Sequence, residues 1–286
     1  MIPVFYSLKM VADSECFSPS AAKPAKVVAS WMNQFPIKLL EPEPVTLDEI
    51  SRAHDRTWAS RVLAGDEDNG FANRSLEVAA ALPYTNGSML SAARHAIKTK
   101  TVAVAPCSGF HHAEYSRPMG YCTFNGLMIT ALALRAEGVA KIGILDLDMH
   151  YGNGTDNILQ RFKDNESWCK HFTAGFSIDR ADQVDYFFTA WLPNALAGLQ
   201  TCDIVLFQAG ADPHVMDPFG GWMETSEMRQ RDAIVFDALH EANVPVVWNL
   251  AGGYQVQKDG SIPAVLEIHD NTMRECVRVY GTEKNF

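Results

Sequence analysis

The sequence lacks any pair of cysteines at metal-binding spacing. Its six cysteines are scattered along 286 residues as Cys16, Cys107, Cys122, Cys169, Cys202 and Cys276. Without a Cys-x-x-Cys pair, neither a thiolate zinc site nor a disulfide framework is indicated. We therefore expect reduced thiols.

Long apolar segments and basic clusters are missing as well. No apolar run approaches the roughly 20 residues that span a bilayer, and the opening MIPVFYSLKMVADSE lacks the basic-then-apolar order of a signal peptide. The formal net charge is −10, with no block of Lys and Arg, which argues against broad nucleic-acid binding. These absences predict a cytoplasmic protein without membrane or nucleic-acid partners, and they leave an oligomer open.

Apolar runs alternate with longer periodic stretches through most of the chain. The runs are rich in β-branched residues and apolar on both faces, as buried parallel strands are, at 101–106, 141–148, 203–210 and 244–250. The periodic stretches predict helices around 88–98, 125–138, 181–199, 225–242 and 263–281. This alternation predicts a three-layer α/β fold with a mostly parallel sheet. Because no linker or repeat divides the chain, we expect one domain over residues 1–286.

Ionisable residues cluster where two of these predicted strands end. Asp146, Asp148 and His150 stand at alternate positions as an apolar run becomes a Gly-rich turn, and Asp212 follows the next run, DIVLFQAG. Ligands collect at the carboxyl ends of parallel strands, and oxygen and imidazole ligands suit zinc or a similar divalent metal. The alternative is a set of acids that cap turns, since Asp is common in loops.

Two further elements follow predicted strands. The pair His111-His112 comes after TVAVAP and precedes Gly120-Tyr121, and Tyr254 comes after a strand and two glycines. Adjacent histidines could reach one water together, and a tyrosine hydroxyl could hydrogen-bond a developing oxyanion. Taken singly, a surface loop explains the histidines equally well, and packing at a strand end explains the tyrosine.

Four motifs in order resemble the histone deacetylase and acetylpolyamine amidohydrolase superfamily. They are SGFHHAEYSRPMGYCTFN, ILDLDMHYGNGT, QAGADPHVMDPFGG and NLAGGY, and the likeness continues through AHDRTWASRVLAG and VLEIHDNTMREC. The resemblance is to class II and bacterial members. It implies the arginase-deacetylase α/β/α fold and zinc-dependent removal of an acetyl or other acyl group from a lysine side chain, a polyamine or another small amine.

The resemblance also implies a role for each matching residue. Zinc would be held by Asp148, His150 and Asp212. The general base and acid pair would be His111 and His112, with Asp146 and Asn153 as their respective partners. Tyr254 would polarise the substrate carbonyl. The substrate channel would be lined by Phe110, Gly120, Tyr121 and Phe219.

Some positions depart from the family pattern. A structural potassium ion is expected at Asp146, Asp148, His150 and Ser177, although Asp179 stands where relatives have a histidine. Tyr151 replaces a second histidine. An acidic rim residue that grips substrate is not evident, and Glu67, Asp68 and Asn69 are candidates by position only. Phe219 occupies the position of an acidic residue in a polyamine-selective relative, which disfavours polyamines.

Two other functions stay open at this point. A two-manganese ureohydrolase of the arginase type shares the fold, but its additional metal-binding carboxylate motifs are not found in the sequence. A catalytically silent binding protein would be expected to have lost a metal ligand or the tyrosine, and Asp148, His150, Asp212 and Tyr254 are all present.

Overall fold

A seven-stranded sheet forms the centre of the computed structural model, which describes residues 1–281. The strands are β1 (Ile2–Phe5), β2 (Ile37–Leu40), β3 (Val102–Ala105), β4 (Ile142–Asp146), β5 (Cys169–Thr173), β6 (Ile204–Gly210) and β7 (Val246–Ala251). Their order is β2-β1-β3-β7-β6-β4-β5, and every neighbouring pair is parallel. The prediction of a mostly parallel sheet is confirmed.

The helices of the described chain cover both faces of this sheet. They are α1 (Lys23–Gln34), α2 (Leu47–Ala53), α3 (Arg56–Ala64), α4 (Leu76–Thr99), α5 (Gly126–Ala136), α6 (Asn153–Leu159), α7 (Asn165–Trp168), α8 (Val184–Tyr186), α9 (Leu192–Leu199), α10 (Thr225–Glu241) and α11 (Pro263–Tyr280). The buried core divides accordingly. Ile142 and Ile144 of β4 pack in the cluster that contains α4 and α5, whereas Leu145 packs with α10 and α11 on the other face. This is the predicted three-layer arrangement.

Several elements differ from the sequence expectation. Helix α4 begins at Leu76, well before the predicted 88, because Ser75 accepts a hydrogen bond from the backbone of Val78 as an N-cap and Pro83 is tolerated inside the helix. The predicted helix at 181–199 is broken by a π-helical turn at Phe187–Trp191. Strands β1, β2 and β5 were not expected, since β2 and β5 are partly polar edge strands of only 4 and 5 residues.

The strand order explains how distant motifs meet. Strands β3, β7, β6 and β4 are consecutive neighbours at the centre of the sheet. Each is followed by one of the four motifs singled out from the sequence. Because all strands run in parallel, their carboxyl ends lie along one edge, where loops leave the core and ligands bind. No helix within residues 1–281 has both the length and the apolar character needed to cross a membrane.

Candidate active site

The side chains of Asp148, His150 and Asp212 meet at this edge of the sheet. The Nδ1 atom of His150 lies 3.1 Å from Asp148 Oδ1 and 3.0 Å from Asp212 Oδ2. One potential ligand atom from each residue lies within 4.8 Å of the others. Both carboxylates are buried. The three residues expected from the sequence are therefore brought together in an arrangement that can hold one metal ion.

Asp146, the last residue of β4, lies beneath this cluster and is fully buried. One carboxylate oxygen accepts a 2.7 Å hydrogen bond from His111 Nδ1. The other accepts a 3.0 Å hydrogen bond from Gln208 Nε2 and a 3.2 Å bond from the backbone N–H of Asp148. Gln208 was not expected from the sequence, although a glutamine inside the apolar run DIVLFQAG was a signal, since a buried amide needs a partner.

The two adjacent histidines have different partners. Their ring centroids are 4.0 Å apart, and His112 Nδ1 donates a 2.6 Å hydrogen bond to Asn153 Oδ1, whereas His111 faces Asp146. Burial would lower the pKa of His111, but the negative charges of Asp146 and Asp148 outweigh it and raise this pKa to about 9. Burial together with the neighbouring His111 lowers the pKa of His112 to about 4. One ring is therefore held cationic and the other neutral near pH 7.

The pKa values of the three metal-binding candidates shift in different directions. Burial and the charge of Asp148 raise the pKa of the Asp212 carboxyl. Burial would do the same to Asp148, but the charge on His111 and the hydrogen bond from His150 outweigh it and hold that pKa well below its usual range. Hydrogen bonds to the two carboxylates raise the pKa of His150 to about 11. The cluster therefore attracts positive charge, as a cation site does.

Tyr254 is positioned by the loop that follows β7. A Cβ atom on Gly252 would lie 2.2 Å from Asp212 Cγ, and the backbone φ there is +49°, so only glycine lets the loop pass this close to the cluster. The buried Lys23 Nζ donates a hydrogen bond to the Gly252 carbonyl oxygen, and Asp217 Oδ2 accepts a 2.8 Å bond from the backbone of Tyr254. Burial, then the charges of Asp212 and Asp148, raises the pKa of the Tyr254 hydroxyl, which stays protonated.

A cavity of about 400 Å³ opens onto these groups. It is lined by Gly70, Phe71, Ala72, His112, Gly120, Tyr121, His150, Phe219 and Tyr254. The backbone of Gly120 packs so closely on His112 that a Cβ atom there would lie 2.4 Å from the imidazole Cδ2. Phe71, from the segment between α3 and α4, was not expected, and its ring lies 6.1 Å from that of Tyr121. The cavity therefore joins a histidine, a tyrosine and a metal-binding candidate inside aromatic walls.

The family of the chain follows from comparison with known proteins. A model of the histone deacetylase domain matches residues 19–171. The chain belongs to this family. A probable deacetylase from Methanothermobacter thermautotrophicus is 27% identical over 258 residues, covering 78% of the chain and 76% of the relative. Human histone deacetylase 9 is 41% identical over 85 residues, which cover 29% of the chain and 8% of that protein.

Solved structures share the fold of this deacetylase-family chain. The HDA15 HD domain superposes with a TM-score of 0.74 at 17% identity, covering 97% of the chain and 90% of that structure. Acetylpolyamine aminohydrolase from Burkholderia pseudomallei superposes with a TM-score of 0.71, also at 17% identity, covering 98% and 99%. The expected arginase-deacetylase α/β/α fold is confirmed, and family membership indicates an amide-cleaving deacetylase with a metal cofactor.

Not every predicted lining residue faces the deacetylase cavity. Phe110 is buried, and its ring packs over Gly126, where a Cβ would lie 2.5 Å from it. Phe110 and Tyr121 both have positive φ, at +97° and +62°, a conformation that bulky residues rarely adopt. The structure places Tyr121 and Gly120 at the cavity wall and Phe110 behind it, so any contact between Phe110 and substrate stays a prediction.

The rim candidates have partners in the loop after α3 or in α3 itself. Glu67 pairs with Arg61 at 3.2 Å and Asp68 with Arg74 at 2.7 Å. Asn69 is buried and donates a 2.7 Å hydrogen bond to the Asn73 side chain. They leave Gly70 and Phe71 to line the cavity.

The residues of the predicted monovalent-ion site differ in burial. Ser177 is exposed, and the hydroxyl next to Asp146 in the sheet belongs to Thr173, whose Cα pairs with that of Asp146. Thr173 Oγ1 accepts a 3.1 Å hydrogen bond from the backbone of Gly152. Strand β5, which the sequence analysis did not predict, ends at Thr173, before Ser177 is reached. A potassium site in this deacetylase stays a prediction, with Thr173 better placed than Ser177.

A fully buried arginine donates hydrogen bonds to the backbone near two metal-binding candidates. Arg231 of α10 donates hydrogen bonds to the carbonyl oxygens of Leu147 and Gly210, at 3.2 and 2.8 Å. Leu147 directly precedes Asp148, and Gly210 is two residues before Asp212. Asp232 pairs with the guanidinium at 2.8 Å. The sequence offered no signal for this role, since an arginine on a helix is usually exposed.

Proposed function

We propose that this deacetylase-family chain hydrolyses the acetyl or acyl amide of a lysine side chain or small amine, using a zinc ion held by Asp148, His150 and Asp212. The observation that carries the proposal is that this triad and the histidine pair meet at a cavity lined by His112, His150 and the protonated Tyr254. Acyl-amide hydrolysis needs a polarised carbonyl, an activated water and a proton for the leaving amine. The cavity has a group for each.

The donor set fits a zinc ion. Two carboxylates and one imidazole give the three protein ligands that catalytic zinc sites use, with a further position left open. Asp148 and Asp212 are buried close together, and two such carboxylates repel each other without a cation between them. When bound, the metal would polarise the acyl carbonyl and lower the pKa of the attacking water.

The histidine pair divides the proton transfers. His112 lines the cavity, and with Nδ1–H directed at Asn153 its neutral ring leaves Nε2 free to accept a proton from water. His111 is held cationic by Asp146 and stabilises negative charge that develops beside it. The pair then returns a proton to the leaving amine.

Tyr254 supplies a neutral donor for the carbonyl oxygen. Its raised pKa keeps the hydroxyl protonated, and a hydrogen bond to the oxyanion strengthens as charge develops in the transition state. Tyr121, whose ring lies 5.6 Å from that of Tyr254, forms an adjoining wall. The aliphatic chain that carries the acylated amine would pass between the rings of Tyr121 and Tyr254.

The two other functions receive less support. Within residues 1–281, Asp148, His150 and Asp212 form the single cluster able to hold a metal ion, whereas an arginase-type ureohydrolase needs a second metal and further carboxylates. A silent binding protein would have no need to keep both histidines paired with their partners at 2.7 and 2.6 Å. Hydrolysis is therefore the better explanation.

Acetate release from metal-stripped protein, before and after zinc is restored, tests the proposal. The panel contains acetyl-lysine peptides, N-acetyl-lysine methylamide and acetylpolyamines. We expect activity to return with zinc and to fall sharply in Tyr254→Phe. Tight zinc binding without cleavage of any substrate would contradict the proposal.

A further inference from the structure

Exposed apolar side chains gather at one side of the active-site cavity. Phe17, Met216 and Phe219 expose 57%, 69% and 46% of their surface. The ring of Phe219 lies 6.4 Å from that of Phe17 and 4.7 Å from that of Tyr254. They belong to segments far apart in sequence, one before α1 and the other after β6. Grouped apolar exposure of this kind marks interaction sites more often than chance.

These side chains border a second cavity, here called the side groove. It has a volume of about 390 Å³ and is lined by Phe17, Met216, Pro218, Tyr254, Gln255, Val256, Gln257, Pro263 and Ala264. Tyr254 lines both cavities, and the ring of Phe219 stands edge-on to it. The side groove therefore adjoins the active-site cavity at Tyr254.

Neither cavity is lined by a charged side chain of Asp, Glu, Lys or Arg among the described residues. The chain has 34 acidic residues and a formal net charge of −10, so this absence is local. The nearby Asp217 is buried and turned inward, where it accepts backbone hydrogen bonds from Tyr254 and Phe219 at 2.8 and 3.1 Å. Among the described residues that line the two cavities, none is a carboxylate that could pair with a cationic substrate tail.

We propose that the side groove binds an apolar side chain that flanks the acylated lysine of a peptide substrate. This inference rests on the proposed deacylation and specifies its substrate class. Gln255 Nε2 already bonds His214, and Gln257 Oε1 accepts from Ser261. The other atoms of the two neutral amides, Gln255 Oε1 and Gln257 Nε2, can hydrogen-bond a peptide backbone. The remaining amines of an acylpolyamine are protonated, and they would lose hydration against apolar walls without gaining a counter-charge.

Paired peptides test this substrate class. In each pair, one peptide has Leu and the other has Ser next to acetyl-lysine, and separate pairs place this residue before and after the acetyl-lysine. N-acetyl-lysine methylamide serves as a substrate without flanking residues, and acetylspermidine as a cationic substrate. Burying a Leu side chain supports a preference of roughly 10-fold to 100-fold in kcat/KM. We expect that preference for Leu on at least one side, and acetylspermidine to be the poorest substrate.

A matched pair of variants ties the preference to the groove. Met216→Gln should lower the Leu-to-Ser ratio several-fold. Met32→Gln, at a similarly exposed methionine in α1, should leave ratio and rate unchanged. Because the ratio is taken within one variant, partial loss of folded protein cancels.

The outcomes separate this inference from the proposed function. Cleavage of the methylamide without preference between the peptides, or a preference for acetylspermidine, overturns the inference and leaves deacylation standing. An unchanged ratio in Met216→Gln also overturns it. Failure to cleave any substrate with zinc restored overturns the proposed function itself, and the inference with it.

Discussion

The floor of the cavity consists of buried, hydrogen-bonded polar side chains, whereas its mouth consists of exposed apolar ones. On the floor, Asp146, Asp148 and Asp212 are buried and each is bonded to neighbouring groups. At the mouth, a name used here for the cavity rim together with the adjoining side groove, Phe17 and Met216 are mostly exposed. Rigid, satisfied polar networks fix geometry, while exposed side chains can change with little cost to the fold. The chemistry and its selectivity are therefore separable, and this comparison can be tested at each level.

The largest effect is expected at the floor, from Asp212→Asn. The amide keeps the shape of the carboxylate but removes one of the two negative charges facing His150. We expect zinc affinity to fall by at least about 10-fold and deacylation to drop by three orders of magnitude or more. Competition with a chromophoric chelator measures the affinity, and acetate release measures the activity. Full activity with zinc would show that Asp212 is no ligand.

Tyr254→Phe should have the next largest effect on activity. Loss of one donor to a developing oxyanion costs about 10²-fold to 10³-fold in kcat. The ring would still pack against Phe219 and Tyr121, so the unfolding temperature should stay close to that of the wild type. Steady-state kinetics on N-acetyl-lysine methylamide gives the result. A change confined to KM would assign the hydroxyl to substrate binding alone.

Arg231→Met tests whether the floor depends on the support beneath it. Removing one partner of a buried pair typically costs about 3–5 kcal/mol, and the carbonyls of Leu147 and Gly210 would lose their donor. We expect lower stability in urea and weaker zinc binding, even in the folded fraction. Arg231→Lys keeps the charge but cannot reach both carbonyls as well, so its zinc affinity should be intermediate. Unchanged affinity in both variants would show that Arg231 serves stability alone.

The floor was predictable from the sequence and the mouth was not. Asp148, His150 and Asp212 follow apolar runs that could be recognised as parallel strands, and such strands end at one edge. Phe17 and Met216 meet only through the tertiary fold, so no local pattern relates them. The rim candidates stay predictions for a similar reason, because the ion pairs of Glu67 with Arg61 of α3 and of Asp68 with Arg74 have no local signal in the sequence.

Some residues at the floor were missed because the sequence pattern did not reveal them. Thr173 was not expected beside Asp146, because strand β5 is short and partly polar and its pattern did not reveal a strand. Gln208 and Arg231 were missed because buried polar partners have no periodicity of their own. When an edge strand is not predicted, the residue at its end is not recognised as a neighbour of the site.

A buried histidine just before α3, His54, makes stability depend on pH. His54 is fully buried, its Nδ1 donates to the carbonyl oxygens of Glu114 and Tyr115, and its Nε2 accepts from the backbone of Asn125. Burial lowers the pKa of His54 to about 4, below the roughly 6.5 of an unfolded histidine. The unfolded state therefore binds the proton first, and the stability present above pH 6.5 is lost as the pH falls towards 4.

His54→Gln isolates this contribution from that of the carboxylates. The shift of the His54 pKa to about 4 corresponds to about 3 kcal/mol, which the wild type should lose between pH 7 and 4 in excess of the variant. Urea unfolding at several pH values measures both. Parallel curves for the two proteins would show that the imidazole is not the group responsible.

The smallest effect is expected at the mouth, from Phe17→Ser and Met216→Gln. Both side chains are mostly exposed, and exposed substitutions usually change stability by less than about 0.5 kcal/mol. Urea unfolding should place both variants within that range of the wild type, beside the Met32→Gln control. A loss above about 2 kcal/mol would mean that these side chains hold the fold together. Stability close to that of the wild type would instead mean that the mouth is free to vary while the floor beneath it stays fixed.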